Sequence, residues 1–380
     1  MTLLPCPAPA PPGWPLDWRD LNERFEWIRS MQGCPQDPIH HAEGDVWIHT
    51  RMVGEALTAL DEWRALGEAD RETLFAAALL HDVAKPRCTR VEDGRITSRG
   101  HSQRGSRDAR RILWAHGADL VRRESVCAMV RFHQLPFFLI DRPDARRMSL
   151  LISQQTNCGQ LALLATADAL GRQCDDHGEI LTKIALFREF CAEQGCLNQP
   201  WEFPSPLSRF EYFRREDRDP LYRAHDEARC EVIVMSGLPG SGKDTWLREH
   251  APEVPMISLD NIRAETGARR SGDQGKVAQT ARERAREFLR AGTAFAWNAT
   301  NITRELRSEL VDLVAGYGGR SRLVYVEAPW DALGERNSRR EKPAPEAAIE
   351  RMLDRWEVPD ATEAPVVEWW ENADGFVRRR

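Results

Sequence analysis

Gly237-Leu238-Pro239-Gly240-Ser241-Gly242-Lys243 decides how the second half of this chain folds. The β-branched run Val232-Ile233-Val234 leads into it, and Asp244-Thr245-Trp246-Leu247 follows as a helix start. Glycines let backbone N–H groups close on phosphate oxygens, and the positive end of a helix favours the anion. Lys243 then reaches the outer phosphates of a nucleoside triphosphate. Gly237, Pro239, Gly240, Ser241, Gly242, Lys243, Asp244 and Thr245 are the expected nucleotide-binding residues. The residue after the lysine is usually Ser or Thr, a magnesium ligand; here it is Asp244, which can hold the ion directly or through water.

Working outward, short strands alternate with helices from Glu231 onward: Val232–Met235, Pro255–Leu259, Ala294–Asn298 and Arg322–Val326. That rhythm implies a parallel sheet covered by helices. Upstream, apolar residues recur at three- and four-residue spacing in Trp47–Leu60, Thr73–Leu80, Arg122–Phe132, Ser149–Leu170 and Glu179–Phe190, an almost wholly helical half. Between the halves lies a proline- and aromatic-rich stretch from Gln199 and a charged segment up to Arg229. The expected organisation is α plus α/β: a loose tail over 1–18, a helical domain over 19–204, a linker over 205–230 and the α/β domain over 231–380.

With 380 residues, 42% apolar and 29% charged, the composition is that of a globular protein of two domains. No apolar run approaches the roughly 20 residues of a membrane span, and the proline-rich start makes a poor signal peptide. Nine cysteines show no metal-like spacing, which suits reduced thiols in the cytoplasm. A net charge of −6 excludes a globally basic nucleic-acid binder but leaves room for a local basic groove. The cations are mostly arginine, with lysine only at 85, 183, 243, 276 and 342; the closing Arg378-Arg379-Arg380 reads as a solvated tail.

Ten histidines are present, and several fall where a helix points them inward. His49 shares a face with Val53, Ala56 and Leu60; His81-Asp82 closes the Thr73–Leu80 helix; His101 stands in the loop Arg99-Gly-His-Ser-Gln-Arg-Gly105. His133 follows Val126 by seven and Val130 by three, and Asp168 lies on the apolar face of its own helix. An inward carboxylate is costly unless something positive meets it. A divalent cation satisfies Asp82, Asp168 and the imidazoles together. The roles of His40, His41 and Asp45, just before His49, stay open.

The order His49, His81-Asp82, His101, His133, Asp168 resembles the HD phosphohydrolase superfamily, an all-helical metal-dependent fold. The resemblance implies that His49, His81, Asp82 and Asp168 form the core metal shell, with Asp82 also counted as catalytic. His101 and His133 match the extra histidines that hold a second metal or the phosphate. The metal lowers the pKa of bound water and neutralises a phosphate oxygen, so phosphoesters are hydrolysed. Mixed imidazole and carboxylate ligands suit manganese, cobalt or nickel.

Beyond the phosphate loop comes Ile257-Ser258-Leu259-Asp260-Asn261-Ile262-Arg263. A carboxylate at the end of a parallel strand lies in the ligand crevice. Asp260 can accept the proton of an attacking hydroxyl, and Arg263 can grip an acceptor phosphate. Trp297-Asn298-Ala299-Thr300-Asn301 ends a strand ahead of Arg304 and Arg307, and Arg336-Asn337-Ser338-Arg339-Arg340 follows another. Arg336 and Arg340, at i,i+4, can fold over the triphosphate and balance charge during transfer.

Ser-x-Asp-x-x-Arg after GxPGSGK, with late arginines, resembles 5′-hydroxyl polynucleotide kinases. The two halves together are similar to the bacterial HD-domain polynucleotide kinases, bifunctional RNA-repair enzymes, from about Arg24 to Trp370. The resemblance implies ATP with Mg²⁺ in the kinase, a transition metal in the HD half, and RNA or DNA ends bearing 5′-hydroxyl and 2′,3′-cyclic phosphate as partners. A separate ligase is the expected next enzyme, no membrane partner is expected, and a homodimer is compatible with the sequence. Two other readings stay open: a nucleoside or nucleotide kinase fused to an HD nucleotidase, and a kinase regulated by a non-catalytic HD sensor.

Overall fold

The computed structural model describes residues 3–267, 273–340 and 343–380, so Lys342 lies outside the described residues. The chain forms two compact units, Met1–Trp201 and Glu202–Arg380. The first is helical and the second is built on a mostly parallel sheet, as the patterning requires.

In the first unit, helix Val46–Ala59 begins at Asp45, whose Oδ1 accepts from the Ile48 N–H at 2.9 Å. It packs on Glu68–Leu80 and on Cys158–Leu170, while Glu68–Leu80 also packs on Leu120–Phe132. Their inward faces (Leu57, Leu74, Leu79, Val126, Met129, Leu161, Leu164) are fully buried, and truncating any one of them to alanine costs about 2–5 kcal/mol. One departure from an all-helical unit is the antiparallel hairpin β1 (Arg90–Glu92) and β2 (Arg95–Thr97).

Several expectations need correction. The periodicity over Ser149–Leu170 runs through a break: helix Ala145–Ser153 ends, and Cys158–Leu170 starts afresh because the Asn157 side chain caps the Gln160 N–H at 3.0 Å. His101 is not in a loop but opens helix His101–Ala115, whose four interspersed arginines hid its period. The N-terminal stretch is docked rather than loose, since Leu3, Leu4 and Cys6 are buried and Trp14 packs edge-on against Trp63. Within 205–230, helix Pro206–Arg214 buries Phe210 and Tyr212, so much of this stretch belongs to the second unit. The closing arginines are pinned: Arg378 ends a strand, Arg379 N–H donates to the Trp369 carbonyl at 2.8 Å, and the Arg380 guanidinium lies over the Trp369 ring.

The second unit's sheet comprises β3 (Glu231–Ser236), β4 (Met256–Ser258), β5 (Phe295–Asn298), β6 (Arg320–Glu327), β7 (Val366–Asn372) and β8 (Phe376–Arg378). Their order is β4-β5-β3-β6-β7-β8, parallel except for the β7–β8 pair. Strands β7 and β8 escape sequence reading because Glu368, Glu371 and Asn372 interrupt the apolar run. From β3 the chain leaves past β5 to β4, then returns to β6 on the other side. That reversal opens the ligand crevice at the carboxyl end of β3, where the glycine loop sits.

Candidate functional sites: an imidazole–carboxylate centre and a phosphate-loop cleft

Five helices of the first unit carry or end at His49, His81, Asp82, His101, His133 and Asp168 and bring them to one buried point. His49 Nε2 is 3.2 Å from His81 Nε2 and 3.2 Å from Asp168 Oδ1. His81 Nε2 is 3.2 Å from Asp82 Oδ2, and His101 Nε2 is 3.3 Å from Asp82 Oδ1. His133 Nε2 is 3.5 Å from His101 Nε2 and 3.9 Å from Asp82 Oδ1. Asp82 thus divides the cluster, one carboxylate oxygen toward His49 and His81, the other toward His101 and His133.

The other ring nitrogens fix the tautomers. Nδ1 of His81, His101 and His133 faces the carbonyls of Ala78, Ser98 and Val130 at 2.7, 2.8 and 2.8 Å. A carbonyl can only accept, so each Nδ1 carries hydrogen, and Nε2 is the ring nitrogen left to offer a lone pair inward to a metal. His49 Nδ1 likewise meets Glu43 Oε1 at 2.9 Å and Gly171 O at 3.2 Å. Lone pairs facing each other at about 3.2–3.5 Å repel, and buried Asp82 Oδ1 has no hydrogen-bond donor. A cation among these atoms removes both penalties. Donor set, geometry and carbonyl backing all fit a divalent metal.

Sequence reading missed three contributors. Glu43 also binds His41 Nδ1 (2.8 Å) and the Gln173 N–H (2.9 Å), so it orients His49 from behind. Lys85 Nζ touches Asp82 Oδ2 at 2.7 Å and Gln36 Oε1 at 2.6 Å. Arg172 clamps Asp168 with two bonds, of 3.0 and 2.9 Å. The only signals were local: Lys85 three residues after Asp82, Arg172 four after Asp168. Of the residues left open, Asp45 is a helix cap, His41 backs Glu43 and His40 is exposed.

Burial opposes charge on Asp82 and Asp168, but Lys85 beside the one and Arg172 beside the other hold both well below the usual carboxylate range. Burial pushes His133 down to about 3 and His41 to about 4. A histidine whose folded pKa is depressed keeps its stability contribution above its unfolded pKa and loses it as pH falls toward the folded one. The metal-free protein is therefore expected to lose about 1.4 kcal/mol per pH unit per such histidine between about pH 6.5 and 4. Urea unfolding across that range measures it, and a flat profile would contradict the neutral buried state.

In the second unit, the loop after β3 wraps into helix Lys243–His250. Gly237 (φ +147°) and Gly242 (φ +103°) hold conformations that side chains avoid. A Cβ would meet the Val326 carbonyl at 2.3 Å in the one and Asn372 Nδ2 at 2.1 Å in the other. Lys243 Nζ donates to the carbonyls of Gly237 and Leu238 at 2.8 and 2.9 Å, and burial pushes it down to about 8. Ser241 Oγ is buried without a partner in the loop, as expected of a phosphate donor.

The loop opens on a cleft of about 860 Å³. Pro239, Gly240, Gly242, Lys243, Asp244, Thr245, Asp260, Arg263, Arg336 and Arg340 all line it; Ser241 and Gly237 sit in the loop beneath. Asp260 is the second residue of helix Leu259–Glu265, ion-paired with Arg263 and 3.6 Å from Arg340. Asn298 donates to Asp244 Oδ1 at 2.5 Å, so the end of β5 orients the unusual residue after the lysine. Arg336 is tethered by the carbonyls of Asn372 and Ala373, both at 2.8 Å. Arg351 and Met352 are lining residues that sequence reading missed.

Arg304 and Arg307 do not face the cleft. Arg307 is fully buried on Glu363 (2.7 Å) and the carbonyls of Asn301 and Glu357; Arg304 binds Asp360 and Thr362. Arg307→Ala is therefore expected to cost about 3–5 kcal/mol of stability by stranding a buried carboxylate. Denaturant titration tests this; unchanged stability would reopen a catalytic reading.

Residues 46–184 match the family model described as HD domain, and residues 232–359 match one described as AAA domain. The chain thus joins an HD domain to a P-loop kinase-like domain. It is 33% identical over 106 residues to a multifunctional CCA protein of Halorhodospira halophila, over 28% of this chain and 23% of that one. It therefore spans about a quarter of that relative's length. The crystal structure of a candidate kinase from Chloroflexus aurantiacus is 18% identical, with a TM-score of 0.33, over 38% of this chain and 86% of that one. Among the described residues, no helix is long and apolar enough to cross a membrane.

Proposed function

We propose that this chain heals both ends of a broken nucleic-acid strand. The second unit transfers the γ-phosphoryl of ATP to a 5′-hydroxyl end, and the first removes a 2′,3′-cyclic or terminal 2′/3′ phosphate. The observation that carries the reading is the pairing of a phosphate-loop cleft rimmed by Arg263, Arg340 and Arg351 with an imidazole–carboxylate centre built for a metal.

In the transfer step the 5′ oxygen bonds to the γ phosphorus, the bond to ADP breaks, and Asp260 takes the hydroxyl proton. Lys243 leaves its loop carbonyls for the outer phosphates, and Arg336 and Arg340 balance the charge that spreads over the equatorial oxygens. Asp244, oriented by Asn298, would take part in holding Mg²⁺, directly or through water. In the other unit a bound manganese, cobalt or nickel ion would supply an activated water and neutralise a phosphate oxygen. His49, His81, Asp82 and Asp168 would hold it, with His101 and His133 taking a second ion or the phosphate. Glu43 and the three carbonyls keep the imidazoles aimed.

An apolar wall of Ala344, Pro345, Ala348 and Met352 favours a second reading, a pocket that encloses a nucleobase and so a nucleoside or nucleotide kinase. Assays with ATP and a 5′-hydroxyl oligonucleotide, free nucleosides, and a 2′,3′-cyclic phosphate oligonucleotide, in RNA and DNA forms, separate the two. Phosphorylation of nucleosides alone would replace end healing by small-molecule metabolism. A metal-loaded first unit inert on every phosphoester would make it a sensor.

A further inference from the structure

Spacing shows no pairing among the nine cysteines, yet the fold brings three of them together, fully buried, with sulfur atoms all within 4.8 Å of one another. Cys158 is the first residue of helix Cys158–Leu170, Cys191 lies in the last turn of helix His177–Glu193, and Cys196 follows it. The chain reverses at Gly195 so that the Cys196 N–H bonds the Cys191 carbonyl at 2.9 Å, folding the third thiol back on the second. One residue on, the Leu197 carbonyl accepts from the Gly159 N–H at 2.8 Å and pins this turn against the helix start.

We propose that Cys158, Cys191 and Cys196 form a thiolate site for a thiophilic divalent cation such as zinc, distinct from the imidazole–carboxylate centre. Buried single cysteines commonly pack as small apolar residues, but three sulfurs meeting one another is the arrangement a soft metal requires. Zinc–sulfur bonds of about 2.3 Å place tetrahedral sulfurs about 3.8 Å apart, so only small movements are needed. The Ser149 carbonyl, 3.9 Å from Cys158 Sγ, offers an oxygen for a fourth position. Binding releases three thiol protons, and a dication with three thiolates carries one net negative charge. The helix beginning at Cys158 presents the equivalent of about half a positive charge there. The staple would tie the start of the helix carrying Asp168 to the end of its neighbour, setting where Asp168 stands.

The test uses the full chain, reduced and loaded with Co²⁺ as the probe. Cobalt bound by thiolate shows intense near-ultraviolet charge-transfer absorption, which imidazole and carboxylate ligands do not give. The expected result is this band, displaced by zinc, retained at one cobalt per chain in His81→Ala/Asp82→Ala and lost in Cys158→Ser/Cys196→Ser. Should the cysteine variant fail to fold, the wild-type spectrum decides alone. A wild-type spectrum without the band, or a disulfide between two of the three cysteines in protein purified under reducing conditions, would overturn the proposal.

Discussion

Lys243→Ala is expected to lower 5′-phosphorylation by at least about 10²–10³-fold, because in the proposed transfer the ammonium meets the developing negative charge of the transferring group. Asp260→Asn is expected to cost about 10²–10⁴-fold, as for other losses of a general base, and to cost it in kcat rather than in KM for ATP. The Asp260–Arg263 pair sharpens the expectation, since Arg263 is available to an acceptor phosphate only when that pair loosens. Both variants should keep full phosphoesterase activity. Nearly full kinase activity in Asp260→Asn would remove it from the catalytic role and leave it as the partner of Arg263 and Arg340.

The second large effect falls on the other unit. Among the described residues Asp82 addresses both histidine pairs, so Asp82→Ala should strip metal from the centre and abolish phosphoester hydrolysis. His81→Ala should do the same. Loss of an outer partner of a metal ligand costs about 10–100-fold, and loss of the ligand itself should exceed that. Glu43→Gln, one step back, should fall within that smaller range through looser aim of His49. Elemental analysis beside the assay checks the cause: inactive protein with unchanged metal content would take Asp82 and His81 out of the ligand set.

Much of this was legible in the chain because the decisive features are local. The glycine loop, its strand and its helix are contiguous, and the histidines and carboxylates disclosed themselves as polar residues on apolar helix faces. What was not legible depends on distance. Glu43 lies in a turn and reaches His49 Nδ1 only through the fold; Asn298 meets Asp244 from a neighbouring strand. Arg307 carries the same charge as Arg340 but is sealed in the core by Glu363, a partner 56 residues away. The His101 helix was masked by arginines, and the cysteine trio joins the two ends of a helical hairpin that no spacing rule connects.

The central claim is tested most directly with one RNA strand bearing a 5′-hydroxyl and a 2′,3′-cyclic phosphate, incubated with the full chain, labelled ATP and Mn²⁺. Two-end healing predicts a strand that gains the label at its 5′ end and loses the cyclic phosphate, with Lys243→Ala abolishing only the first change and Asp82→Ala only the second. A strand left untouched at both ends, while free nucleosides are phosphorylated, would contradict it.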